Sequence, residues 1–354
     1  MAAAVAAVSA ATATAATAAT FETVAIGLDN PRGVAYNPVD DAIYVATTGR
    51  GGKRCQGEGE EAMCLGTTGR IVRVAANGRK TTVARGMFSL AGQGGPFAAG
   101  LHGVSVAPDG TVFGVTGSST PGDVAGFPRP VRSKVGRVFR ASGGAFSAVA
   151  RVDRLEHRRN LDNVKGDKNS NPYAMLALAA NHQIVVDAGA NAVLEVRDGK
   201  VSLLSLIPNR RGGRRQSVPS SIALGPDGAY YVGELAESSG PGKARVWRVP
   251  AEGGTATVYR SGFTTISGVA FDGDGNLFVT EMFVNRRFGG RLVRVAPDGS
   301  RSVLAGVKKL TAPTGAAVDS TGAVYVSNFS VLPRKTPKDS EFRGAGGTLV
   351  KITP

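Results

Sequence analysis

The chain has 354 residues, of which 42% are hydrophobic and 19% charged, with 49 glycines and 18 prolines spread along its length. That balance excludes a disordered polypeptide and supplies ample apolar surface for a core. Forty-two Lys and Arg against 27 Asp and Glu give a formal net charge of +15, which suits either an anionic partner or an exposed, soluble surface.

Residues Met1 to Thr20 are almost entirely Ala, Val, Thr and Ser. They are read as the remnant of a secretory signal, with Ala11-Thr12-Ala13 as a small-residue cleavage site but no basic start. A disordered tail is the alternative. Residues 21–354 are expected to form one domain, monomeric and secreted. No later segment approaches the ~20 apolar residues of a membrane helix.

One pattern then recurs six times: a small-residue entry, an apolar strand, a tight turn and a second strand rich in Tyr, Phe and Val. The entries are Pro31-Arg32-Gly33, Leu101-His102-Gly103, Pro172-Tyr173-Ala174, Pro219-Ser220-Ser221, Ile266-Ser267-Gly268 and Pro313-Thr314-Gly315. Turns such as Pro108-Asp109-Gly110 and Pro226-Asp227-Gly228 carry Gly where a hairpin needs positive φ. Second strands follow at Ile43-Tyr44-Val45, Val112-Phe113-Gly114, Ile184-Val185-Val186, Tyr230-Tyr231-Val232, Leu277-Phe278-Val279 and Val324-Tyr325-Val326. Third strands such as Arg245-Val246-Trp247-Arg248-Val249 come next, and a fourth closes most units.

Four strands per unit and six units predict an all-β, six-bladed β-propeller. The last unit ends at Pro354 one strand short, and Phe21-Glu22-Thr23-Val24-Ala25 is available to complete it. This pairing covers two sheet edges that would otherwise be open. The first two units are lengthened by insertions. In the first of these lie the only cysteines, Cys55 and Cys64. They fit a disulfide in an exported protein, with two free thiols as the alternative, and they lack the neighbours a zinc site needs.

The repeat aligns two rings of side chains at one channel mouth. Arg32, His102, Tyr173, Ser220, Ser267 and Thr314 stand at the first-strand entries. Thr47, Thr116, Asp187, Glu234, Glu281 and Asn328 stand at the second-strand ends. Asp187, Glu234, Glu281 and Asn328 fall 47 residues apart. As hard oxygen ligands they could hold Ca²⁺ or another divalent cation. Glu234 and Glu281 could instead act as general bases with His102, or the four could cap strand-end amides and pair with Arg. The insertions fall on the same face and carry about half of the Lys and Arg residues, including Arg210, Arg211, Arg214 and Arg215. With Arg32 and Tyr173 these form the expected binding surface for an anionic small molecule, a glycan or a protein partner. The insertions hold few aromatics for base stacking, which argues against nucleic acid.

The runs Gly27-Leu28-Asp29-Asn30-Pro31-Arg32-Gly33, Asn169-Ser170-Asn171-Pro172-Tyr173 and Gly225-Pro226-Asp227-Gly228-Ala229-Tyr230-Tyr231-Val232-Gly233-Glu234-Leu235 resemble the ScyD/ScyE family of exported proteins. So does the two-cysteine loop ending Thr68-Gly69-Arg70. The resemblance implies a propeller of the kind shared with NHL-repeat proteins and SMP-30-type lactonases. In the lactonases an acidic and amide-bearing set at the mouth holds a divalent cation that activates water, a part open here to Asp187, Glu234, Glu281 and Asn328. The leading expectation is a secreted binding module; the alternative is a metal-assisted hydrolase.

Overall fold

A computed structural model describes residues 19–209, 215–236, 239–284 and 288–354. The architecture is all-β. The second strands are apolar without alternation because both of their faces are covered. In Ile184-Val185-Val186, Val185 packs into a cluster with Val115 and Val138 of the preceding unit. Ile184 and Val186 pack the other way, against Ile222, Val232 and Trp247 of the following one. Tyr230 and Tyr231 divide in the same manner between two clusters.

The described strands make four four-stranded sheets and one nine-stranded sheet, all antiparallel in their ladders. Unit three runs Pro172–Ala179, His182–Asp187, Ala192–Arg197, Lys200–Leu206. Unit four runs Pro219–Leu224, Tyr230–Glu234, Ala244–Val249, Thr257–Phe263. Unit five runs Ile266–Phe271, Leu277–Glu281, Arg291–Val295, Arg301–Ala305. Units one and two share the nine-stranded sheet because Ser89 and Leu90, late in the fourth strand Lys80–Gly92, pair with Gly100 and Ala99 of the next first strand. Each first strand touches its successor's, and that of unit six touches that of unit one.

Unit six contributes Ala316–Val318, Val324–Asn328 and Gly347–Thr353 from the end of the chain. Its fourth strand is Thr20–Leu28, paired antiparallel with Gly347–Thr353 as the sequence predicts. Ala25 and Leu28 of this strand join a core with Val34, Val45 and Val72 of unit one and Tyr325 and Leu349 of unit six. The remaining unit boundaries are filled by equivalent clusters. Turn chemistry fits the hairpins: the Asp227 carboxylate accepts the Ala229 N–H at 3.2 Å, and Gly228 sits at φ +77°.

The insertions are more structured than their composition implies. Residues 54–65 form a hairpin bridged by Cys55–Cys64, with S–S 2.02 Å, so the expected disulfide is present and the free-thiol alternative is not. Pro121–Gly126 and Arg129–Arg132 are short helices, the first capped by Thr120 through the Asp123 N–H. The polar run Glu156-His157-Arg158-Arg159 lies within the helix Asp153–Arg159. Leu155 and Glu156 are buried there, and His157 Nε2 lies 2.9 Å from the Ser119 carbonyl oxygen. The insertion phenylalanines are gathered too: Phe283, Phe288, Phe329 and Phe342 pack on Met282, Val331 and Leu332.

Deleting residues 19–26 should strip the Gly347–Thr353 edge and open the apolar seam between units six and one. We expect aggregation on size-exclusion chromatography and loss of the single unfolding transition. A monodisperse, cooperatively unfolding variant would count against this account of how the two ends are secured.

Candidate functional site

Asp187, Glu234, Glu281 and Asn328 each end a second strand, and each acts locally. Asp187 is fully buried and accepts four donors: the Ser170 hydroxyl and Asn171 N–H at 2.6 Å, and the Gly189 and Ala190 N–H at 3.1 Å. Burial raises its pKa against the pull of these donors. Glu281 accepts the Thr264 N–H and both Nε and Nη2 of Arg291. Asn328 accepts the Thr311 N–H at 2.8 Å and donates to the Lys309 carbonyl at 3.3 Å. Glu234 accepts the Trp247 indole N–H at 2.8 Å.

Three of the four therefore hold the segment that leads into their own unit's first strand. This is the capping arrangement, one of the three readings left open by the spacing. Among the described residues no group of three or more His, Cys, Asp and Glu is placed to hold a metal ion. The oxygen atoms that a divalent cation would require already accept N–H, O–H and guanidinium donors, so the set does not fit a resident cation.

The entry ring is equally engaged. Ser220 donates to the Ile266 carbonyl at 2.6 Å, Ser267 to the Pro313 carbonyl at 2.9 Å, and Thr314 to the Pro31 carbonyl at 3.3 Å. Each hydroxyl thus bridges to the entry of the next unit, and the third bridge joins unit six to unit one. Arg32, His102 and Tyr173 occupy the other three positions. His102 is buried, with its ring 4.5 Å from that of Tyr173. Burial and the nearby Arg32 cation push its pKa down to about 3, so it is neutral at neutral pH. A buried neutral imidazole whose Nε2 accepts the Gly100 N–H at 3.2 Å is poorly placed to exchange protons beside Glu234 or Glu281. Arg210, Arg211 and Arg214 lie outside the described residues.

Sequence reading does not locate a cleft of about 720 Å³ over units three to five. Asn169, Asn171, Gln216 and Thr264 supply amides and a hydroxyl, while Val218, Leu235, Ala236 and Phe283 supply apolar surface. Among the described residues no ionisable side chain lines it. Its backbone is held in unusual geometry: Val218, Ala236 and Thr265 have φ of 52°, 54° and 50°, costly for β-branched residues. Hydrogen bonds fix these turns, from Val218 N–H to Asn191 Oδ1 at 2.8 Å, Leu235 N–H to the Val218 carbonyl at 2.9 Å and Met282 N–H to the Thr265 carbonyl at 2.9 Å.

A polar network backs one wall of the cleft. Asp162 accepts the Asn191 and Asn209 amides at 2.8 and 3.3 Å, and Asp167 accepts Gln216 Nε2 at 3.1 Å. Near these carboxylates, Glu156 is 1% exposed and accepts the Leu161 N–H at 2.7 Å. Burial, then the charges of Asp162, Asp187 and Asp167, outweigh that hydrogen bond and raise its pKa to about 7. A second group missed in the sequence is Asp29, which lies within a quoted motif but had no assigned role. It accepts Arg70 Nη2 at 2.7 Å, and Arg334 N–H and Nε at 2.9 and 3.0 Å. Burial pushes its pKa up, but the Arg334 hydrogen bonds and charge, with the charge of Arg70, bring it below the usual range.

A family model described as an SMP-30/gluconolactonase/LRE-like region matches residues 147–338, more than half of the chain. No curated protein sequence matches significantly. Among solved structures, a gluconolactonase from Xanthomonas campestris shares 10% identity over 95% of this chain and 89% of its own, at TM-score 0.55. A calcium-binding regucalcin from Agrobacterium tumefaciens shares 15% over 92% of each chain at TM-score 0.55. Virginiamycin B lyase from Staphylococcus aureus, crystallised with quinupristin, shares 14% over 95% of this chain and 99% of its own at TM-score 0.50. At these identities the likeness is one of fold: a β-propeller.

Two outcomes follow for the wall and the ring. Because Glu156 titrates higher folded than unfolded, its ionisation destabilises the fold fully above about pH 7, and the penalty vanishes below the ordinary carboxyl range. Glu156→Gln should therefore be more stable than the parent at pH 8, on the order of 1–3 kcal/mol, with no difference at pH 4. Urea titrations at both pH values test this, and equal stability at pH 8 refutes it. Asp187→Asn should cost roughly 1–3 kcal/mol by facing an amide N–H₂ toward existing donors. Added Ca²⁺ should move the melting temperature of neither parent nor variant.

Proposed function

The chain belongs to the SMP-30/gluconolactonase/LRE-like family, and from that premise we propose that it is a ligand-binding module working through the mouth-side cleft. The observation that carries this reading is the cleft itself. It has the volume of a small-molecule site, amide and hydroxyl groups over an apolar floor, and walls fixed by strained, multiply bonded turns. The lining that the described residues supply is uncharged and suits a hydroxyl- or amide-bearing neutral molecule. The basic collar, including Arg215, then acts at the rim, where it favours an anionic group or partner without contributing to the floor.

In this reading residues 21–354 form one six-bladed propeller. The six apolar clusters between successive units, the last joining unit six to unit one, support that count. The Ala- and Thr-rich residues 1–20 act as an export leader, and the disulfide is consistent with an oxidising compartment. The quoted motifs support a place among ScyD/ScyE-like exported propellers, acting as a monomer.

The family match is also the one observation that favours a hydrolase. Lactone opening needs an activated water, however, and the ring carboxylates already accept donors while His102 is buried and neutral. Binding is therefore the better-supported function.

Isothermal titration with D-glucono-1,5-lactone and D-glucose is the first test. We expect saturable binding by the parent and at least ~10-fold weaker binding by Leu235→Trp, which fills the cleft; its melting temperature should be unchanged. Equal binding by the two chains removes the cleft from consideration. Binding of a heparin fragment but of neither sugar would return the site to the basic loops. Loss of the lactone faster than its spontaneous opening in protein-free buffer, over many equivalents, would establish hydrolysis.

A further inference from the structure

We infer that the central channel holds a small inorganic anion against Arg32. Arg32 as a residue is only 8% exposed and lines the channel, together with His102 and Tyr173 of other first strands. Its Nη2 donates to the Ala98 carbonyl at 3.1 Å, while its Nε is buried without an acceptor. Among the described residues no carboxylate pairs with it. The contrast within the molecule is sharp: Asp29 serves Arg70 and Arg334, and Glu281 serves Arg291. A cation taken out of water without a counter-charge is severely disfavoured.

The surrounding side chains do not supply that charge. His102 takes the Gly100 N–H on Nε2, which places its own proton on Nδ1, where the Pro172 carbonyl, a neutral acceptor, is its backbone partner. Ser220 and Ser267 turn their hydroxyl protons to main-chain carbonyls of the next unit, and the Thr314 hydroxyl lies 2.9 Å from that of Ser330 and 3.2 Å from the Arg32 carbonyl. A buried cation and a buried neutral donor thus border one narrow space, with no acceptor charge among its walls.

Size then selects the occupant. The channel encloses about 50 Å³, room for one small ion or a water or two, and too little for a sugar or a peptide. Water satisfies hydrogen bonds but leaves the charge uncompensated; a monovalent anion of halide size satisfies both. This site is separate from the cleft and stands whatever the cleft binds.

Bromide is the probe. Crystals of the full chain grown in sodium bromide should give an anomalous peak in the channel beside Arg32. Water alone in the channel, or bromide only on the outer surface, overturns the inference. In solution, the parent's melting temperature should rise with bromide and saturate, beyond the response to sodium methanesulfonate at equal ionic strength. Arg32→Met should lose that halide-specific rise. If Arg32→Met does not fold, Arg32→Lys should keep the rise with a shifted midpoint. Identical responses to bromide and methanesulfonate in the parent also overturn it.

Discussion

Everything in this molecule depends on a covering problem. Each four-stranded unit is apolar on both faces, so no unit can be a surface layer, and each must be flanked by two others. Phe113 illustrates the constraint, being fully buried in the cluster shared by units two and three. A row of such units would leave two apolar faces in water. Here they meet instead: Ala317 and Tyr325 of the last unit lie against Val34 and Ile43 of the first, with Thr20–Leu28 knitted into the last sheet. The disposition of the mouth follows from this arrangement, because neighbouring units bring equivalent ends of their strands to one side.

What stands at that side is a set of fasteners. The entry hydroxyls tie each unit to the next, and the carboxylates and amide at the second-strand ends tie the incoming segment to its own unit. Asp29 performs a related service for the final insertion, joining the lead-in of unit one to Arg334. Polar residues at repeating positions thus hold the repeat together. In the proposed reading recognition falls outside this repeating pattern, to Arg32 and to the cleft over units three to five.

The fold was largely legible because its signals are local. Asp-Gly turns, entry residues and unbroken apolar second strands recur, with a fixed spacing in units three to six, and the orphan strand at Phe21–Ala25 lay where unit six needed it. The helix Asp153–Arg159 was hidden by its charge: four of its seven residues are basic or His, and only the buried face of Leu155 and Glu156 reveals it. The site was far less legible. The spacing of Asp187, Glu234, Glu281 and Asn328 establishes that they are equivalent, but not which donors face them. Those donors, the N–H groups of Asn171 and Thr264 and the Arg291 fork, are set by loop conformation. The cleft depends on positive φ at Val218 and Thr265, residues whose side chains argue against that geometry.

The pairing of Thr20–Leu28 with Gly347–Thr353 also imposes an order of events. Thr20–Leu28 is made well before Gly347–Thr353 and cannot pair until that partner has followed. Across that interval its edge and the apolar faces of units one and six lie open. Contacts of such sequence separation close slowly, and an unpaired edge invites association with other chains. The final stitch therefore sets the period during which a nascent chain is vulnerable, and rapid capture of its two ends matters as much to its yield as the stability of the finished molecule.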